Sequence, residues 1–202
     1  MAPTIPITDI FVGGAGDRIF KCAKTYVDQF ARAHPERQII YLPQGRRRQL
    51  RQLLRDQLSG QSLNLIGHSW GAADVAWAIA QTDAERRFHH VIGIDPVGKL
   101  ARYRRHCQGR ADKIISVYAT GSEGRITDGN LSAQMGRMIG PSCPAIFLSP
   151  DATRINAPFA HYDMTRMMRH PGDDGLSAED QLVGRVTANQ AVPDQTPAAT
   201  RQ

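Results

Sequence analysis

The stretch from Leu63 to Gln81 restricts the chain more than any other. Leu63-Asn-Leu-Ile66 reads as a short strand, and Ala72 to Gln81 reads as a helix. That helix is apolar nearly all round, so it has to lie inside the protein. Between them stand only Gly67-His-Ser-Trp-Gly71, a link short enough to demand a sharp turn. A buried helix entered directly from a strand belongs to a sheet with helices packed against it.

The flanking sequence repeats that pattern. Ile7 to Val12 is a strand, and Gly13-Gly-Ala-Gly16 is a turn. Asp17 suits a helix N-cap, and the helix after it carries Ile19, Phe20, Ala23, Tyr26, Val27 and Phe30 on one face. It stops before Pro35. Gln38 to Leu42 is the second strand, followed by a helix with Leu50, Leu53, Leu54 and Leu58 at helical spacing that ends near Gly60. Val91 to Ile94, Ile114 to Tyr118 and Ala145 to Leu148 read as strands four to six, and Met164 to Met168 begins a last helix. The alternation predicts the α/β class: a mostly parallel sheet of about six strands with helices on both faces. One domain over residues 1–186 is expected, and residues 187–202, rich in Ala, Pro, Thr and Gln, read as a disordered tail.

Composition narrows the partners. The chain has 202 residues, 41% apolar and 22% charged, which suits a single globular domain. No apolar run approaches the roughly 20 residues that span a bilayer, and Met1-Ala-Pro-Thr-Ile-Pro6 lacks the features of a signal peptide. The expected location is the cytoplasm, with export that needs no cleaved signal left open. Cys22, Cys107 and Cys143 form neither a disulfide framework nor a zinc pattern. The net charge of +6 gathers in two clusters, Arg46, Arg47, Arg48, Arg51 and Arg55, and then Lys99, Arg102, Arg104, Arg105 and Arg110. The first falls on the solvated face of the leucine helix. No aromatic residues are interleaved to stack on bases, so no nucleic-acid partner is expected.

Gly67-His-Ser-Trp-Gly71 also fits G-x-S-x-G. With a strand entering and a buried helix leaving, it is a nucleophile elbow that lifts the Ser69 hydroxyl above the sheet. On these residues, residues 5 to 170 resemble the α/β-hydrolase superfamily. The resemblance implies a compact fold with a small or absent cap and an oxyanion hole of two backbone N–H groups. One is that of Trp70. The other comes from the glycine-rich loop after the first strand, at Ala15, or at Gly14 if the loop is tilted. The family order of serine, acid and histidine implies a base late in the chain. His161, in the loop before Met164, fits best among the seven histidines. His68 comes too early for that role, and His170 follows the start of the last helix.

For the acid, the resemblance to the pancreatic-lipase-like branch implies Asp95 in Gly93-Ile-Asp-Pro96, with Glu123 and Asp128, at the more common position after the next strand, as the alternatives. The acid orients the imidazole and stabilises its protonated form. Met135, Met138 and Ile139 suit an adaptable acyl pocket, and Arg102, Arg104, Arg105 and Arg110 would border an open cleft. The function implied is hydrolysis of carboxylic esters, as an esterase or lipase, through an acyl-enzyme on Ser69, without metal or organic cofactor. The substrate would be a small-molecule or lipid ester, a phospholipid included, and transient contact with a membrane surface is admissible. A thioesterase or acyltransferase would use the same residues. A non-catalytic binding protein on the same fold is the alternative of another class.

Overall fold

The computed structural model describes residues 7–15, 17, 21–58, 61–97, 109–120 and 145–185. Six strands form one sheet: β1 Ile7–Val12, β2 Gln38–Leu42, β3 Ser62–His68, β4 Phe88–Ile94, β5 Ala111–Ala119 and β6 Thr153–Ala157. Their order is β2-β1-β3-β4-β5-β6, and every neighbouring pair runs parallel. Parallel strands need crossovers that cover both faces, and the strand residues divide accordingly. Ile10, Val12, Leu63, Leu65 and Val91 face the helices α2 (Arg47–Gln52) and α3 (Trp70–Ala80). Phe11, Ile66, Ile92, Ile115 and Val117 face α1 (Cys22–Ala33), α4 (Met164–Arg169) and α5 (Ala178–Leu182). The expected α/β architecture, with helices on both faces of a six-stranded sheet, is the one observed.

The helices form for local reasons that serve the packing. Tyr26, Val27 and Phe30 of α1 pack under Phe11, with ring centroids 5.9 Å and 5.5 Å from it. α2 passes into a π-helical turn, Leu53–Gln57. The wider turn cancels the rotation that a spacing of four residues accumulates in an α-helix, so Leu50, Leu54 and Leu58 all remain buried. α3 is buried along almost its whole length, from Gly71 to Ile79, as its composition requires.

Three sequence expectations need correction. Ala145–Leu148 is a 3-10 turn, and the sixth strand is Thr153–Ala157. A run of four apolar residues does not distinguish a strand from a buried turn. Here Phe147 covers Gly93, where a Cβ would lie 2.8 Å from its ring, and its carbonyl accepts from the Ser116 and Tyr118 hydroxyls instead of joining a ladder. The true edge strand has only Ile155 and Ala157 buried, so its apolar signal is weak. Helix α1, Cys22–Ala33, has Lys21 and not Asp17 at its N-cap, with no side-chain cap bond there; the Asp17 carboxylate, further back along the chain, accepts from the Ala23 N–H at 2.6 Å. Arg110 does not border the cleft. It lies at the amino end of β5, where it donates to the Arg86 and Asp83 carbonyls and the Thr82 hydroxyl, at the opposite end of the sheet from Ser69.

Glu123, Asp128, Met135, Met138, Ile139, Lys99, Arg102, Arg104, Arg105, Ile19, Phe20, Cys107, Cys143 and the tail 187–202 lie outside the described residues. No helix among the described residues is long and apolar enough to cross a membrane.

Candidate active site

Strand order reverses between β1 and β3, because the chain goes outward from β1 to β2 and then returns to β1's other side. In parallel sheets the crevice at such a reversal, at the carboxyl ends of the strands, is where ligands sit. The loop after β1 and the turn after β3 border it. Gly71 and Gly67 let these segments close together. A Cβ on Gly71 would fall on the Val12 and Gly13 carbonyl oxygens, and one on Gly67 would lie 2.5 Å from the Ala72 Cα.

Ser69 occupies the turn itself, with φ 53° and ψ −123°, a conformation that costs a non-glycine residue on the order of 1–3 kcal/mol. The surroundings hold it there. Its N–H donates to the Ile94 carbonyl at 2.9 Å, and its own carbonyl accepts from Ala72 and Val97, each at 3.1 Å. The elbow is thereby tied to the end of β4. Gly14 lies over the serine, for a Cβ there would be 2.8 Å from the Ser69 Cβ. Trp70 is the first residue of α3, so its N–H is one of the helix-end donors without an intrahelical partner. Gly14 is buried and the Ala15 side chain exposed, so the tilted-loop alternative brings Gly14 nearest the serine.

Asp95 follows β4 directly, also with positive φ, at 40°. Two of the three non-glycine residues with positive φ among the described residues, Ser69 and Asp95, thus end adjacent strands. The Asp95 N–H donates to the Val117 carbonyl at 2.7 Å, and its Oδ1 accepts from the Ala119 N–H at 3.3 Å. Its Oδ2 accepts from His161 Nδ1 at 2.6 Å, at the short end of the charge-assisted range. Both are buried, Asp95 at 1% and His161 at 6% exposure. The bond commits Nδ1 as the donor, which leaves the Nε2 lone pair of neutral His161 as acceptor. The histidine rides on the turn between β6 and α4, and Asp163 caps that helix by accepting from Arg166 N–H.

His68 belongs to the same site and was set aside on sequence grounds. Its Nε2 donates to the backbone carbonyl of His161 at 2.8 Å, and the two rings lie 5.1 Å apart. Its buried Nδ1 has no hydrogen-bond partner among the described residues and would lie 3.1 Å from a Cβ at Gly14. Burial, reinforced by the neighbouring His161, lowers its pKa from 6.5 to about 4. The residue is neutral at pH 7 and acts as a strut between the elbow and the histidine loop. The signal for it was the strand period of two, which puts His68 on the same face as Ile66, where α4 packs.

The glycine-rich loop has its own anchor. Tyr41, near the end of β2, donates its hydroxyl to Asp17. A Cβ on Gly13 would lie 2.6 Å from that hydroxyl and 2.7 Å from the Asp17 carboxylate. The structure therefore brings Ser69, Asp95, His161, Trp70 and Gly14 to one end of the sheet. His170 instead ends α4 with its ring on Phe159. Among the described residues, no three His, Cys, Asp or Glu side chains converge as a metal site. Comparison of the chain with protein-family models, with curated proteins and with solved structures gives no match.

Proposed function

We propose that the chain is a serine hydrolase of the α/β-hydrolase kind that cleaves carboxylic esters. The observation that carries this reading is the buried Asp95–His161 pair at 2.6 Å, on the strand end beside a strained Ser69. A serine hydroxyl needs an adjacent base. Neutral His161 takes the Ser69 proton on Nε2 as Oγ attacks the acyl carbon. Asp95 keeps the other nitrogen protonated and stabilises the imidazolium that forms. The developing oxyanion is met by the N–H of Trp70 and a second backbone N–H from the loop at Gly14 and Ala15, and each such donor contributes roughly 3–4 kcal/mol of barrier lowering. His161 then returns its proton to the leaving alcohol, and water activated by the same imidazole releases the acid from Ser69.

The test is labelling with a fluorophosphonate probe followed by mass spectrometry of the peptide containing Ser69, beside turnover of short p-nitrophenyl esters. The expected result is an adduct on Ser69, absent in Ser69→Ala and in His161→Ala and retained in His170→Ala. Folded wild-type protein that takes no label and cleaves neither ester nor thioester would leave the non-catalytic reading in its place.

A further inference from the structure

The arginine face of α2 is not absorbed by that reading. Arg46, Arg47, Arg48 and Arg55 are exposed and Arg51 is half-buried. Together they line an open groove of about 700 Å³ in which Asp56 is the one acidic residue. None of the five forms an ion pair with a carboxylate among the described residues. Arg47 is partly committed, with its guanidinium 5.2 Å from the Trp77 ring and its charge acting on Asp74. Arg46, Arg48 and Arg55 face solvent, and Arg51 does so in part. Arg48, Arg51 and Arg55 follow one another at spacings of three and four, where like charges on a helix repel. Elsewhere on the described surface, several exposed arginines have acidic partners: Arg87 with Asp112, Arg166 with Asp163, Arg169 with Glu179 and Arg185 with Asp180. No ion pair among the described residues offsets the repulsion between Arg48, Arg51 and Arg55.

Its position is informative as well. α2 begins where β2 ends, at the carboxyl end of the sheet, and the Gly45 N–H beside Arg46 donates to Asp74 in α3 at 2.9 Å. The face thus starts next to the helix that Ser69 opens, and it runs about 14 Å down the flank. At the same end of the sheet stands Tyr162, next to His161. It is the one exposed large apolar side chain among the described residues, at 44%, and tyrosine suits the boundary between water and lipid.

We propose that this arginine face docks the protein on anionic phospholipid bilayers, with the end of the sheet that carries Ser69 toward the lipid. A lipid phosphate matches the guanidinium fork. The groove offers no aromatic platform for bases. That the substrate is then a lipid ester rests on the hydrolase reading; the docking itself does not.

The experiment is vesicle flotation with the full chain, comparing phosphatidylcholine vesicles with vesicles of phosphatidylcholine and phosphatidylglycerol. Wild type and Ser69→Ala are expected to float equally with the anionic vesicles, to stay behind with the neutral ones, and to be released by high salt. Each arginine near an anionic surface contributes about fivefold in partitioning. The quadruple change of Arg46, Arg48, Arg51 and Arg55 to Gln is expected to reduce partitioning at least about fiftyfold. The same four changed to Lys keep charge and helix and are expected to retain most of it. Three results would overturn the proposal: equal flotation with neutral vesicles, a glutamine variant that floats like wild type, or duplex DNA that competes the protein off the vesicles at matched phosphate. Wild type that binds anionic vesicles and cleaves no ester would leave the docking surface standing and remove the hydrolase reading.

Discussion

Acid should destabilise this protein in part through His68, and the size of the effect follows from its surroundings. In the folded chain burial and the adjacent His161 lower its pKa from 6.5 to about 4. Between those values the unfolded chain binds a proton that the folded chain refuses, so stability falls as pH falls. The contribution is absent above pH 6.5, grows through the window, and is complete near pH 4. At 1.36 kcal/mol for each pH unit of difference, the full loss is about 3 kcal/mol.

His68→Gln removes the titration, and its amide can still donate to the His161 carbonyl. His90, whose pKa burial likewise lowers to about 4, is common to both proteins and cancels. The assay is urea unfolding of wild type and His68→Gln at closely spaced pH values from 7.5 to about 4, followed by far-UV circular dichroism. The glutamine variant is expected to lose about 3 kcal/mol less than wild type across the window. Parallel pH dependences would refute the argument, because they would mean that His68 takes up its proton in the folded state without cost.

Three other outcomes are expected. Asp95→Asn should lower ester turnover by about 10⁴ while Glu123→Gln and Asp128→Asn stay near wild type, and steady-state kinetics on one ester decides among the three. Gly14→Ala should abolish turnover with the circular dichroism spectrum unchanged, since its methyl would lie 2.8 Å from the Ser69 Cβ, in the space above the proposed nucleophile. Ser69→Gly should be more stable than Ser69→Ala by about 1 kcal/mol in urea, because glycine alone adopts φ 53°, ψ −123° without strain; a less stable glycine variant would count against a strained elbow.

Most of the sheet was legible because parallel strands buried on both faces read as continuous apolar runs. Ile7–Val12 and Gln38–Leu42 have the bounds the sequence predicts, while the elbow is tighter than predicted, with β3 running to His68 and α3 starting at Trp70 so that Ser69 alone makes the turn. β6 escaped because, as an edge strand, it alternates Thr, Arg and Asn with only two buried residues, while Ile146 and Phe147 presented the stronger apolar signal from a turn. Helix α5 escaped because five residues carry no period, although Ser177 and Asp180 form a capping box there. At the site, Ser69 could be read locally from its motif. Asp95 was preferred from its strand end, with Glu123 and Asp128 left as alternatives, since the final choice depends on where His161 comes to rest. His68 was passed over because the strand period gives only the face it points to, while its role lies in a contact with a carbonyl far along the chain.

The spacing of those contacts has a consequence for how the molecule reaches its working form. His161 meets His68 across 93 positions and Asp95 across 66, and with no hairpin in the sheet every strand pairing is distant in sequence as well. High contact order makes folding slow. During synthesis the elbow leaves the ribosome long before its imidazole does. A chain that has laid down β1 to β5 holds Ser69 and Asp95 without His161, which arrives only when β6 and the turn beyond it dock. On the proposed hydrolase reading, ester turnover would therefore report the last step of folding: in a refolding time course it should lag behind the recovery of helical circular dichroism.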